Sequence, residues 1–254
     1  MNENVEDAPA ATFLQRLFTE KKNWMITDII FDFFGTLVSY SSQRIDANFA
    51  QSHAFIRANG FDISYTDFVQ GWDSSFSRLE VEAKKTFVEF HMQDVARVFF
   101  EDVFGCEVDD EIAQQLVAVY LAEWNVGVTY FAEIRPFLQR LSQNYRLSLI
   151  SNTHYRPLVL DHLKQMGIAD LFAVITLSVD HGLRKPHPKI FEDTLRELGI
   201  TPQQALYVGD SFAADYEGAK NIQMKAVLID AQRKNDRPEF VGHLFDLERY
   251  LAGS

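Results

Sequence analysis

The second half of this chain alternates short apolar runs with helical stretches, and that alternation restricts the fold more than any other feature. After Pro136 the spacing predicts a strand over Leu147 to Ile150, a helix over Leu158 to Met166 and a strand near Ala173 to Leu177. A helix over Ile190 to Leu198, a strand over Ala205 to Val208, a helix near Ala213 to Lys220 and a strand over Ala226 to Ile229 follow. An earlier run, Ile29-Ile30-Phe31, stops on Asp32 and Gly35. Runs this apolar are buried on both faces, and their alternation with helices calls for an α/β fold, a doubly wound parallel sheet with helices on both sides. Three of the strands stop on polar groups: Asp32, Ser151-Asn152 and Gly209-Asp210. In an open parallel sheet the ligand crevice lies beyond the carboxyl ends of the strands, so three distant stretches should converge there.

Between Ser41 and Val128 the period changes to that of helices, and aromatic residues from Phe49 through Phe68, Trp72, Phe76, Phe87 and Phe90 to Phe104 recur at three-to-four spacing. Such a stripe is the core of a helix bundle. The expected organisation is therefore a tail or short docking helix over 1–25, a catalytic α/β domain over 26–40 and 129–254, and an all-helical cap domain over 41–128 inserted after the first strand.

Charge and cysteine content narrow the function. The chain holds 24 Lys and Arg against 36 Asp and Glu, a formal charge of −12, which repels a phosphate backbone, so no nucleic-acid partner is expected. A single cysteine, Cys106, leaves no internal disulfide and too few thiols for a zinc finger, which fits a reducing cytoplasm. No apolar run approaches the ~20 residues of a membrane helix, and Glu3, Glu6 and Asp7 stand where a secretory leader would carry lysines. No membrane partner and a cytoplasmic location are expected.

The crevice should hold Asp32, Asp210 and Asp215, with Lys185 supplying one positive charge. Clustered carboxylates raise one another's pKa unless a cation neutralises them, and an oxygen-rich site of this kind favours Mg²⁺ bound between carboxylates and a substrate phosphate. A metal on one oxygen of Asp32 leaves the other free to attack, which makes a covalent aspartyl intermediate plausible. Thr36 is a candidate either for a hydrogen bond near Asp32 or for a simple turn.

The segments Phe31-Asp32-Phe33-Phe34-Gly35-Thr36-Leu37, Ile150-Ser151-Asn152, Lys185-Pro186-His187-Pro188 with Phe191, and Val208-Gly209-Asp210-Ser211 followed by Asp215 resemble the four ordered motifs of the haloacid dehalogenase-like (HAD) hydrolases. The resemblance implies Asp32 as nucleophile, Ser151 as hydrogen-bond donor to the transferred group and Lys185 as charge stabiliser, with Thr36 and Asn152 as substrate-binding candidates. It implies Asp210, a carboxylate oxygen of Asp32 and the backbone carbonyl of Phe34 as Mg²⁺ ligands, and a mobile cap over the crevice. The expected activity is Mg²⁺-dependent hydrolysis of a small phosphorylated metabolite.

One position departs from the pattern. Most phosphatases of the family carry a second aspartate two residues after the nucleophile, as the acid that protonates the leaving alcohol, and this chain has Phe34. Loss of such an acid costs roughly 10²–10⁴-fold in rate. An aromatic residue there resembles the 2-haloacid dehalogenases, which need neither that acid nor a metal, but those enzymes lack the Gly-Asp pair that stands here as Gly209-Asp210. Their halide-binding arginine has a counterpart in Arg78 without its surrounding pattern. A metal-independent dehalogenase and a catalytically weak binding protein thus remain alternatives to the phosphatase, and His154 is a candidate substitute acid.

Overall fold

The computed structural model describes residues 25–40, 48–232, 237 and 239–253. The tail expected over 1–25 falls almost wholly outside the described residues. The strands are β1 (Asp28–Phe31), β2 (Val38–Tyr40), β3 (Val128–Tyr130), β4 (Arg146–Ser151), β5 (Phe172–Leu177), β6 (Ala205–Gly209), β7 (Lys225–Ile229) and β8 (Phe240–Val241). Six of them form one parallel sheet in the order β5-β4-β1-β6-β7-β8. The expected strands and helices of the second half lie within two residues of their expected ends, except the helix near Ala213 to Lys220. There Phe212–Glu217 form a widened helical turn, in which both Asp215 and Tyr216 donate their N–H groups to the Ser211 carbonyl, before a single turn at Gly218–Asn221.

Side chains of a strand point alternately to opposite faces, and the two faces of this sheet carry separate cores. Ile29, Phe31, Leu147, Leu149, Leu206 and Val208 pack with the helices Ile134–Leu141 and Arg156–Gln165. Ile30, Ile150 and Tyr207 pack with the helix Pro188–Leu198 on the other side. The central strand β1 is buried along its whole length, so its end is shielded on both faces.

The four helices Ala50–Ala58, Tyr65–Thr86, Met92–Phe104 and Asp110–Trp124 enclose their own aromatic core, with Phe68, Trp72, Phe99, Phe100 and Tyr120 buried. Glu123 fastens the last of these helices to the first. Its buried carboxylate accepts hydrogen bonds from the backbone N–H of Gln51 (2.8 Å) and Ser52 (3.0 Å) and from Ser52 Oγ (2.5 Å), which places a negative charge at a helix N-terminus, where it is favourable. Phe87 departs from the expected aromatic stripe. It ends the helix Tyr65–Thr86 in a left-handed conformation at φ 57° and lies outside the buried cluster.

Backbone pairing helps tie the helical insert to the sheet. Strands β2 and β3 pair antiparallel where the chain leaves and re-enters the sheet, and Val88 forms an antiparallel bridge with Leu183. Among the described residues, no helix is long and apolar enough to cross a membrane.

Candidate active site

Parallel register brings the three polar strand ends together. Phe31 lies opposite Leu149 on one side and Val208 on the other, so Asp32 stands one residue past that row and Ser151 and Asp210 stand two past it. The Asp32 N–H continues the ladder to the Val208 carbonyl at 2.9 Å. Asp32 is buried, and its two oxygens have different partners. Lys185 Nζ donates to Oδ1 at 2.7 Å, and Thr36 Oγ1 donates to Oδ2 at 3.2 Å. Both readings of Thr36 are observed: it lies in the turn after β1, with its N–H donating to the Phe33 carbonyl at 3.3 Å, and its hydroxyl reaches Asp32.

Lys185 is almost fully buried and is held from several directions. Its Nζ also donates to Asp215 Oδ1 at 2.6 Å and to Tyr207 Oη at 2.8 Å. Asn152 grips the lysine backbone, accepting its N–H at 2.8 Å and donating to its carbonyl at 3.0 Å. Asn152 therefore positions Lys185 in this structure. Ser151 is buried at the end of β4, with its hydroxyl 3.4 Å from the Asn152 carbonyl.

Two glycines permit the close approach of the carboxylates. A Cβ at Gly35, whose φ is +83°, would stand 2.1 Å from Asp210 Oδ2, and one at Gly209 would stand 2.4 Å from Asp215 Cγ. Any larger residue would push the acids apart. Carboxylate oxygens of Asp32, Asp210 and Asp215 lie within 4.8 Å of one another.

The electrostatics are short of positive charge. Burial raises the Asp32 carboxyl to about 6, with Asp215 adding to the rise and Lys185 opposing it. Asp210 rises to about 7, again chiefly because its carboxyl loses water, with the charges of Asp32 and Asp215 adding to the effect. The residue as a whole is exposed, but its carboxyl end faces Gly35 and the other acids. Burial lowers the Lys185 pKa less than the charges of Asp215 and Asp32 raise it, so the ammonium is kept. One ammonium faces three carboxyls, and a divalent cation fits the donor set.

Several contributors were not singled out from the sequence. Tyr207 is a hydroxyl inside an otherwise apolar strand, and it bridges Lys185, Asp215 and the Ile150 carbonyl. Glu89 is an isolated acid among the aromatics Phe87 and Phe90, and its fully buried carboxylate accepts hydrogen bonds from Ser178 Oγ (2.6 Å) and pairs with His154 Nδ1 (2.9 Å). A polar residue inside an apolar run is the available signal in both cases. His154 also stacks on Phe90, with ring centroids 4.1 Å apart. Arg78 is exposed and paired with Asp102.

Phe34 is half-buried and its ring meets Phe33, Tyr40, Trp124 and His162 edge-on. It lines a cavity of about 350 Å³ between the helical insert and the sheet, together with Asn152 and His154.

A buried carboxylate, a lysine and further acids thus stand together at the carboxyl ends of a doubly wound sheet, the arrangement of a hydrolase site. The chain belongs to the haloacid dehalogenase-like hydrolases, whose sequence profile it matches over residues 28–223. It is 36% identical over 112 residues to a glyceraldehyde 3-phosphate phosphatase of Pyrococcus abyssi, covering 42% of this chain and 46% of that protein. It is 28% identical over 144 residues to a phosphoserine phosphatase of Thermus thermophilus, covering 56% of this chain and 57% of that one. The chain spans about half the length of the curated relatives it matches. Among solved structures it is similar to a 2-haloacid dehalogenase from Pseudomonas syringae, with a TM-score of 0.68 and 25% identity over 90% of this chain and 99% of that one. It also shares the fold of a HAD-hydrolase from Bacillus subtilis bound to magnesium, with a TM-score of 0.60 and 18% identity over 89% of this chain and 99% of the other.

Proposed function

We propose that the protein is a Mg²⁺-dependent phosphatase acting on a small phosphorylated metabolite, with the catalytic domain over 26–40 and 129–254 and the cap over 41–128. The observation that carries this reading is the carboxylate cluster of Asp32, Asp210 and Asp215 around the buried ammonium of Lys185, a donor set that fits a divalent cation. Phosphatases among the relatives support the same activity. Asp210, Asp32 and the Phe34 carbonyl would hold Mg²⁺, while Asp215 is already committed to Lys185 and to the Ser211 N–H at 2.9 Å. Held by these residues, Mg²⁺ would offset negative charge on the acids and on the incoming phosphate.

In this mechanism an oxygen of Asp32 attacks phosphorus, and the ester P–O bond breaks with its electron pair passing to the leaving oxygen. Water then attacks phosphorus in the aspartyl-phosphate and gives up a proton to solvent, matching the proton the leaving oxygen takes from solvent, as the bond to Asp32 breaks to return its carboxylate and release phosphate. Lys185 fixes Asp32 and balances charge as the phosphoryl group arrives. Ser151 and Asn152 stand at the end of β4, where Ser151 donates to a phosphoryl oxygen and Asn152 keeps Lys185 in place.

A second reading has a specific basis. The aromatic ring of Phe34 at the position of the missing acid and the likeness to a 2-haloacid dehalogenase fit attack of Asp32 on a carbon bearing halogen. Phosphate release from a phosphoester panel and halide release from 2-haloacids, each with and without EDTA, separate the readings. Phosphate release abolished by EDTA supports the phosphatase, halide release indifferent to EDTA supports the dehalogenase, and neither activity indicates a binding protein.

A further inference from the structure

The cavity lined by Phe34 and Asn152 has aromatic and aliphatic side chains on both of its sides, with Thr153, His154 and the tyrosines Tyr40, Tyr120 and Tyr155 as its other polar lining. Phe76 and Met92 reach it from the helical insert, Leu158 comes from the helix Arg156–Gln165 on the sheet side, and Phe34, two residues after Asp32, lines it with its ring 5.6 Å from that of Trp124. Among the described residues, no lysine, arginine, aspartate or glutamate lines it. The nearby charges are paired within the protein. Glu89 is bonded to His154 and Ser178, with Arg184 at 3.6 Å, and Arg184 itself bonds Glu80 at 2.6 Å. A charged group on a ligand seated among Phe76, Met92 and Leu158 would find no counter-charge in those walls, and an unpaired charge in such surroundings is strongly disfavoured.

We infer that the group esterified to the phosphate is an uncharged apolar body, aromatic or branched alkyl, seated in this cavity between Phe34 and Leu158. The inference rests on the phosphatase reading and names its substrate class. Phe34 and Asn152 join the two regions: Phe34 follows the nucleophile by two residues, and Asn152 lines the cavity while holding Lys185. A phosphate at Asp32 would therefore place its ester group against the Phe34 ring. The volume of about 350 Å³ lies at the small end of the range for small-molecule sites, large enough for a substituted ring. Selectivity follows from area removed from water, and each buried methylene adds up to about fourfold in affinity. A phosphorylated amino acid, with two charges on its body, gains nothing from these walls.

The test uses phosphonates, which bind like phosphates and are not hydrolysed. Methyl-, butyl- and phenylethylphosphonate, and an aminocarboxylic phosphonate of matching length, are titrated calorimetrically into the intact protein with Mg²⁺ present. The affinity should rise by more than tenfold from methyl to phenylethyl, and the aminocarboxylic compound should bind no better than methyl. A flat series, or tighter binding of the charged compound, overturns the inference. In a Leu158→Glu variant with an unchanged melting profile the rise should disappear; an intact rise would also overturn the placement. Hydrolysis of the matching phosphate esters is measured in parallel. A rising phosphonate series with no ester hydrolysed would refute the phosphatase reading and leave the cavity assignment standing, so the two failures are distinguishable.

Discussion

Replacing Phe34 with aspartate should accelerate hydrolysis of alkyl phosphates by roughly 10²–10⁴-fold and change that of aryl phosphates far less, because only a poor leaving group needs a proton as its bond breaks. The substitution also has a stability cost that can be worked from the contacts. The Phe34 ring meets Phe33 at 4.9 Å, Trp124 at 5.6 Å, Tyr40 at 5.8 Å and His162 at 6.2 Å between centroids. A fully buried Phe costs about 3–5 kcal/mol to truncate, and this ring is half-buried, so about 2–4 kcal/mol is expected. That is survivable against a typical stability of about 5–15 kcal/mol. The new carboxyl also joins acids already raised to about 6 at Asp32 and about 7 at Asp210, so the variant should be less stable without Mg²⁺ than with it. The assay is initial rates on ethyl and nitrophenyl phosphate at saturating Mg²⁺, after thermal unfolding has shown a cooperative transition. If the folded variant gains nothing on ethyl phosphate, or the wild type already cleaves both esters equally, the reasoning about Phe34 fails. His154, whose ring is fixed by Glu89, would then be the donor to test through His154→Gln.

Three further outcomes are expected. Mg²⁺ should raise the melting temperature of the wild type, by the equivalent of about 2.7 kcal/mol at a hundredfold excess over its dissociation constant, and should raise that of Asp210→Asn much less; equal shifts would remove Asp210 from the metal site. Lys185→Ala leaves Asp32 and Asp215 without their shared cation and should cost about 3–5 kcal/mol in chemical denaturation; a loss below 1 kcal/mol would show that the pair is weakly coupled to the fold. Burial pushes the Glu89 carboxyl up, but hydrogen bonds from His154 and Ser178 and the charges of His154 and Arg184 outweigh it and hold the pKa below 4.5. Its contribution to stability is therefore present above pH 4.5 and is lost as pH falls through the lower folded value, so Glu89→Gln should flatten the acid limb of the stability profile, and an unaltered limb would contradict the assignment.

The strand ends were legible in the sequence because each needs only a short apolar run and a polar stop. Asp32, Ser151 and Asp210 fall in one crevice on the strand pattern alone, since parallel register does the rest. The ribbon of β2 and β3 was not legible, because three residues per strand carry no period. Two-residue β8 escaped for the same reason. The widened turn at Phe212–Glu217 also escaped: helical spacing anticipates an ordinary helix, whereas the chain makes a wider turn there and Asp215 accepts a hydrogen bond from Lys185. Tyr207 and Glu89 lie in apolar stretches where the burial of a residue is evident but the partner of its polar atom is not.

The initial rate of phosphate release by Asp32→Asn tests most directly whether Asp32 carries the transferred group. The variant keeps the shape of the side chain and loses the nucleophilic carboxylate, so with Mg²⁺ present and a melting profile like that of the wild type its rate should fall by at least about a thousandfold, a difference of about 4 kcal/mol in the barrier. A correctly folded Asp32→Asn protein that releases phosphate at a rate close to the wild type would contradict covalent catalysis at Asp32.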